Sequence, residues 1–276
     1  MIKLSKIKEA KRTKGRYHLY EEKDGSETYI GTVSEETLIR HNLIRARELS
    51  EEEFESIKSM ETVDRAVQLA VNFISFRMRS EREIISYLKK KETEEDVIPE
   101  VLDRLDQLNL IDDRAFAQAF VRTRRDTSTK GPMHIRQELY QKGVEGALID
   151  EAMEEFGEDE VLEAAVRLAA KKAGEYRRES KINRKNKLMQ LLMRKGYQTG
   201  IASVAVERVL SDQEEEEDGE TDEEWENAVF HGEKLLARIT EHDPAKRRDR
   251  LKKGLYRKGF PMPVIQRFID EYVSES

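Results

Sequence analysis

The 276-residue chain contains no cysteine, which excludes disulfides, thiolate nucleophiles and cysteine-held zinc and leads us to expect a reducing, cytoplasmic setting. Histidine is scarce: His18, His41, His134, His231 and His242 stand at no ligand spacing such as i, i+4 on a helix, so no metal is expected. Phosphate-cradling and nucleophile-bearing signatures are also missing. No Gly-x-x-x-x-Gly-Lys-Ser/Thr loop, Gly-x-Gly-x-x-Gly turn or Gly-x-Ser-x-Gly elbow occurs, so we expect no cofactor, no small-molecule substrate and no enzymatic activity. No apolar run approaches the roughly 18 residues that span a bilayer, and Met1-Ile2-Lys3-Leu4-Ser5-Lys6 has no apolar leader core. A membrane role is therefore not expected.

What the chain does have is charge. Charged residues make up 39% and hydrophobic residues 37%, a balance suited to an elongated array of repeated units with much surface per volume. The formal net charge of -7 hides an uneven distribution. Residues 212–226 carry many carboxylates and no Lys or Arg, whereas 167–195 and 246–258 are dominated by Lys and Arg.

Residues 1–58 read as a small strand-containing module. Arg16-Tyr17-His18-Leu19-Tyr20 and Thr28-Tyr29-Ile30-Gly31-Thr32-Val33 are β-prone runs, and Asp24-Gly25 between them is a hairpin signal because the turn needs residues that tolerate positive φ. A short helix is expected near 35–41. From Thr62 onward the period changes: Ala66, Leu69, Ala70, Phe73 and Ile74 share one helix face. Ser80 with Glu83 has capping-box spacing and starts a further helix.

Internal repetition then fixes the fold class. Leu139-Tyr140-Gln141-Lys142-Gly143-Val144 recurs as Leu192-Met193-Arg194-Lys195-Gly196-Tyr197 and as Leu255-Tyr256-Arg257-Lys258-Gly259-Phe260, with a weaker copy at Leu88-Lys89-Lys90-Lys91-Glu92. Apolar residues return at fixed offsets after each: Val97, Leu148, Ile201 and Val264; then Leu102, Met153, Val206 and Ile269; then Leu105, Phe156, Val209 and Tyr272. In each copy the glycine closes a helix in the left-handed conformation, and the preceding lysine faces the negative end of the helix dipole. Pro132 and Pro244 sit where a first-turn proline is tolerated, so each begins the second helix of its unit. The expected architecture is mostly α: three-helix repeats over 62–111, 112–157, 158–211 and 227–276 in an elongated curved array, with 212–226 a solvated acidic linker. A sharper expectation is that this acidic segment folds back over the basic run 167–195.

Within the second repeat, Asp112-Asp113 precedes a helical run and reads as capping rather than a catalytic pair, and Phe116 and Phe120 read as core. The cations resist a bland reading. Arg114, Arg122, Arg124, Arg125, Lys130, Arg136 and Lys142 are opposed between residues 114 and 142 by only Asp126 and Glu138, and the excess of arginine suits planar recognition of phosphate or carboxylate.

Three further segments carry a resemblance. Arg79-Ser80-x-x-Glu83, then Leu110-Ile111-Asp112-Asp113-x-x-Phe116-Ala117, then Gly131-Pro132-x-x-Ile135-x-x-Glu138-Leu139-x-x-Lys142-Gly143-Val144 together resemble the RecX family of regulators of the RecA recombinase, over residues 62 to about 275. The sequence departs from the family pattern at Glu92 and Asn109, where glycine is common, and at His134, where arginine is common. The resemblance implies a tandem of three-helix repeats without enzymatic activity that lies in the groove of a RecA-type recombinase filament on DNA, bridges protomers and lowers recombinase and ATPase activity in the control of DNA repair and recombination; separately, the chain is expected to be a monomer. DNA would be met weakly or through the filament. Arg79 and the seven cations above are the expected contact residues. A sequence-independent nucleic-acid-binding repeat protein is the alternative, and a nuclease acting through distributed carboxylates the remotest one.

Overall fold

The computed structural model describes residues 1–11, 13–23, 25–45, 48–216 and 222–273, with 213–216 described by backbone alone. The chain forms two compact units: Met1–Phe116 with Lys142–Val144, and Ala117–Gln141 with Glu145–Ser276.

The first unit opens with strands β1 (Ile2–Glu9), β2 (Arg16–Lys23) and β3 (Ser26–Ser34), the short helix α1 (Glu35–Arg40) and β4 (Glu48–Leu49). The sheet is antiparallel in the order β3-β2-β1-β4. Gly25 has φ +75° at the hairpin tip, and Asp24 of the expected turn lies outside the described residues. Ser34 caps α1 by accepting the Thr37 N–H at 3.1 Å. Helix α2 (Glu51–Ile74) starts at a capping box built by Ser50 and Glu53 and runs unbroken past 58–62, so the expected module and the expected first repeat share one helix. Its first half puts Phe54 and Ile57 into a core with Leu19, Val33, Leu38, Leu43 and Leu49. Its second half puts Val63, Ala66 and Ala70 into another core, with Ile84 and Leu88 of α3 (Glu81–Lys90) and Ile98, Val101 and Leu105 of α4 (Ile98–Gln107). Between the two cores the buried Glu61 accepts hydrogen bonds from Arg16, from the Ser34 N–H (2.9 Å) and from Thr37 Oγ1 (2.8 Å). A buried carboxylate is tolerated only when satisfied in this way.

The remaining helices come in threes. They are α5 (Asp113–Thr127), α6 (Pro132–Gln141) and α7 (Gly146–Glu154), then α8 (Glu158–Ala173), α9 (Lys181–Arg194) and α10 (Thr199–Glu216), then α11 (Glu223–Leu236), α12 (Pro244–Arg257) and α13 (Met262–Tyr272). In the last trio Leu251, Leu255, Phe260, Ile265 and Phe268 are fully enclosed, and Tyr272, although 40% exposed, stacks on Phe268 at 4.6 Å. Phe116 is buried as expected, whereas Phe120 is half-buried beneath the Arg124 guanidinium.

The Lys-Gly turns do more than end helices. Ser80, the N-cap of α3, donates its hydroxyl to the Lys142 carbonyl at 2.7 Å, and Ser180, the N-cap of α9, donates to the Lys258 carbonyl at 2.6 Å. At the start of α6 the backbone makes the same connection: Gly131 N–H donates to the Lys195 carbonyl at 2.7 Å and Met133 N–H to the Gly196 carbonyl at 3.1 Å. The beginning of one repeat's second helix is thus fastened to the end of the next repeat's second helix. A carboxylate adds a second tie at two of these junctions, Asp113 accepting the Glu81 N–H and Glu224 accepting the Lys181 N–H, both at 2.9 Å. Asp112 caps its own helix, taking the Ala115 N–H at 2.8 Å.

Gly143, Gly196 and Gly259 have φ of +82°, +90° and +82°, and a Cβ at each would come within 2.9 Å or less of Arg82, His134 or Ser180 respectively. Two constraints therefore select glycine, the left-handed backbone and the close approach. Glu92 shares the left-handed conformation at φ +62° but is exposed, so only the first constraint operates there. Asn109 closes α4 at φ +53°.

The expectation of a solvated linker over 212–226 is corrected for its described residues. Residues 212–216 continue α10, and Asp222 caps α11 by accepting the Trp225 N–H at 3.2 Å, while 217–221 lie outside the described residues. Glu223, Glu224 and Glu226 fall in the first turn of α11, where carboxylates offset the positive end of the helix dipole. Glu223 also pairs with Arg177 (3.0 Å) and with the buried Arg184 (3.3 Å), so this end of the acidic segment does meet the basic run, as a built-in contact rather than a loose flap.

Candidate partner-binding surface

Helix α5 carries Arg122, Arg124 and Arg125 in its C-terminal half, where cations complement the dipole, and α6 carries Arg136 on its second turn. The structure supplies these cations with more carboxylates than the local sequence offers. Arg122 pairs with Glu155 at 3.3 Å, Arg125 with Glu160 at 3.2 Å in addition to Asp126 at 2.9 Å, and Arg136 with Asp150. Arg124 and Lys130 share Glu138, with Arg124 Nε at 2.8 Å, and Arg124 also lies over the Phe120 ring, 4.8 Å from its centroid. Burial would raise the Glu138 carboxyl, but hydrogen bonds from Lys130 and Arg124 overcome this and hold it below its ordinary value. The hydrogen bond to Asp150 raises the Arg136 guanidinium further above its usual range.

These pairings divide the cations by availability. Arg122, at 52% exposure and facing one carboxylate at 3.3 Å, can exchange that partner for another anion at little expense. Arg124, held by Glu138 and the Phe120 ring, is positioned by its surroundings. Arg125, Lys130 and Arg136 keep exposed edges while tied to carboxylates.

Three expected contact residues belong to the first unit. Arg114 is exposed near the start of α5. Arg79 lies flat over the Phe73 ring, 3.8 Å from its centroid, and donates Nε–H to the Phe73 carbonyl at 3.3 Å. Lys142 is a cross-link: its ammonium donates to Glu83 at 2.7 Å, and Glu83 also receives both arms of Arg77 at 3.0 and 3.2 Å. Burial alone would raise the Glu83 carboxyl, but the hydrogen bonds and charges of Arg77 and Lys142 bring it down to about 2. Lys142 therefore has a structural duty that its place in a basic cluster did not disclose.

The sequence pattern alone had not singled out a row of apolar side chains. Tyr140, Met193 and Tyr256 occupy the same place in successive copies of the Leu-x-x-Lys-Gly motif and are 50%, 48% and 65% exposed. The signal was present, since each directly follows the buried leucine of its motif. Among the described residues, no group of three or more His, Cys, Asp or Glu is placed to hold a metal ion, and no helix is long and apolar enough to cross a membrane.

Comparison with known proteins identifies these repeats. Residues 66–105 match the family model described as RecX, first three-helix domain, and residues 112–153 the model for the second three-helix domain. The third three-helix domain matches twice, over 158–206 and 222–269. The regulatory protein RecX of Oceanobacillus iheyensis is 35% identical over 277 residues, covering 100% of both chains. That of Halalkalibacterium halodurans is 34% identical over 272 residues, covering 98% of this chain and 100% of the relative. A crystal structure of a regulatory protein RecX superposes with a TM-score of 0.62 at 35% identity, covering 75% of this chain and 100% of that one. RecX from Lactobacillus salivarius gives 0.52 at 30% identity, covering 54% and 97%.

Proposed function

The chain belongs to the RecX family of regulatory proteins, and from that premise we propose that it binds a RecA-type recombinase filament on DNA and lowers its recombinase and ATPase activity without catalysing a reaction itself. The observation that carries this reading is the recurrence of an exposed apolar side chain beside each Lys-Gly turn, at Tyr140, Met193 and Tyr256. A surface that repeats along the chain suits a partner that repeats along its own axis, because each copy can meet an equivalent subunit. The cations Arg122, Arg124, Arg125, Lys130, Arg136 and Arg114 would supply electrostatic complementarity, with Arg79 and Lys142 contributing through the structure they stabilise.

DNA-dependent ATP hydrolysis by a RecA-type recombinase, measured with increasing amounts of this protein, tests the proposal. Hydrolysis should fall, the purified chain alone should hydrolyse no ATP, and Arg122→Glu should weaken the inhibition while leaving the circular dichroism unchanged. Undiminished hydrolysis at saturating protein refutes it. Binding that needs no recombinase and is lost in Arg122→Glu would instead favour direct tracking of DNA phosphates by α5 and α6.

A further inference from the structure

The first 16 residues carry seven cations, Lys3, Lys6, Lys8, Lys11, Arg12, Lys14 and Arg16, against the single carboxylate Glu9, in a chain whose net charge is -7. Strand pairing sets several of these beside aromatic rings. Lys6 lies opposite Tyr20 and Lys8 opposite His18 on β2, while Tyr20 lies opposite Tyr29 and His18 opposite Thr32 on β3. The three rings touch edge to face, His18 to Tyr29 at 5.6 Å and Tyr20 to Tyr29 at 5.9 Å between centroids. Thr32 Oγ1 orients them, 2.6 Å from His18 Nδ1 and 2.8 Å from the Tyr29 hydroxyl. The Lys6 ammonium stands 5.9 Å from the Tyr20 centroid.

Core packing does not account for these rings. Successive strand residues face opposite ways, and the buried neighbours Leu19 and Val33 serve the core on the other face of the sheet. Tyr29 is 54% exposed. Beside the rings runs a groove of about 760 Å3 lined by His18, Tyr29, Thr32, Arg16 and Arg65, a size within the roughly 300–1,000 Å3 of small-ligand sites. Its acidic residues Glu36, Glu61 and Asp64 are each paired with an arginine, Arg40, Arg16 and Arg104 respectively. Lys3 and Lys6 pair with Glu22 and Glu27 at 3.1 and 3.0 Å, in contacts at least half-exposed on both sides that a phosphate can displace. Lys8, Lys11 and Lys14 are exposed.

We propose that this aromatic and basic face of the N-terminal sheet binds single-stranded nucleic acid, with bases stacking on Tyr20 and Tyr29 and the lysines of β1 and the β1–β2 turn following the phosphates. Rings arranged on a sheet and flanked by cations suit unpaired bases, which present open π-faces, and not a duplex, whose bases are already stacked. This inference concerns the N-terminal sheet and is independent of the recombinase.

Fluorescence anisotropy of a labelled oligothymidylate, titrated with the full chain in the absence of any recombinase, provides the test. The parent should bind the oligothymidylate more tightly than a duplex of equal length. Tyr29→Ala should weaken binding about tenfold, Tyr20→Ala/Tyr29→Ala further, and Tyr29→Phe by no more than about twofold. Lys8→Gln/Lys11→Gln should reduce the slope of log affinity against log salt by about 0.7 for each phosphate that is no longer neutralised. Arg122→Glu should leave this binding unchanged. The proposal is overturned if the oligothymidylate does not bind at low salt, if the double tyrosine variant binds like the parent with intact circular dichroism, or if the duplex binds equally well and is equally weakened.

Discussion

Replacing Glu83 by glutamine removes one charge from the best-connected carboxylate of the first repeat while preserving its shape. Glutamine at this position can still accept the Ser80 N–H, so the helix start survives, but the two arms of Arg77 and the ammonium of Lys142 lose their counter-charge. The carboxyl lies at about 2 instead of 4.5, and at about 1.4 kcal/mol for each tenfold change in proton affinity this corresponds to roughly 3 kcal/mol. Because the Glu83 side chain is 20% exposed, solvent screening trims the figure, and a loss of about 2–3 kcal/mol is expected at neutral pH. The pH dependence identifies the origin. A carboxyl whose folded value is depressed contributes its full stabilisation above the unfolded value near 4.5 and loses it as pH falls toward about 2. The difference between parent and variant, measured by urea unfolding and by hydrogen exchange of the α3 amides, should therefore be largest at pH 7 and close to zero near pH 2. A difference that is the same at both pH values, or below about 0.5 kcal/mol at pH 7, would refute the electrostatic account.

Other substitutions probe the junctions between repeats. Gly131→Ala would bring a Cβ to 2.6 Å from the Gly196 backbone, which cannot step aside as a flexible side chain can, and should destabilise by about 2–3 kcal/mol in urea unfolding. Glu92→Gly should stabilise by about 0.5–1 kcal/mol, since it relieves a left-handed non-glycine residue and removes an exposed side chain, and a lowered urea midpoint would contradict this. Ser180→Ala removes both the cap of α9 and the bond to Lys258, an expected loss of about 1–2 kcal/mol visible as faster exchange at the start of α9.

The parts of the structure that were legible in the sequence are those written in local chemistry. The Ser80–Glu83 capping box, the helix starts at Pro132 and Pro244, and the Lys-Gly helix ends each depend on residues within one turn of each other, so spacing suffices to find them. The candidate surface was half legible, because the cations are local to α5 and α6 but their partners are not. Asp150 of α7, Glu155 at the C-cap of α7 and Glu160 of α8 reach them from 14 to 35 residues away. The acidic stretch shows the same limit from the other side. A run of carboxylates reads as self-repelling and unfolded, whereas Glu223 is seen to pair with Arg177 and Arg184, and Glu223, Glu224 and Glu226 to sit in the first turn of α11.

The helix that joins the N-terminal sheet to the first repeat fixes the rotational phase between them. Phe54 and Ile57 engage one core and Val63, Ala66 and Ala70 the other, with Glu61 anchored to the sheet between them. An inserted residue between Ile57 and Glu61 would turn everything after it by about 100° and advance it by about 1.5 Å. One of the two apolar faces would then point into water. The helix thus acts as a keyed shaft: a single-residue insertion or deletion in it should be far more damaging than a conservative substitution at the same place, and compensation should require about seven residues, close to two whole turns.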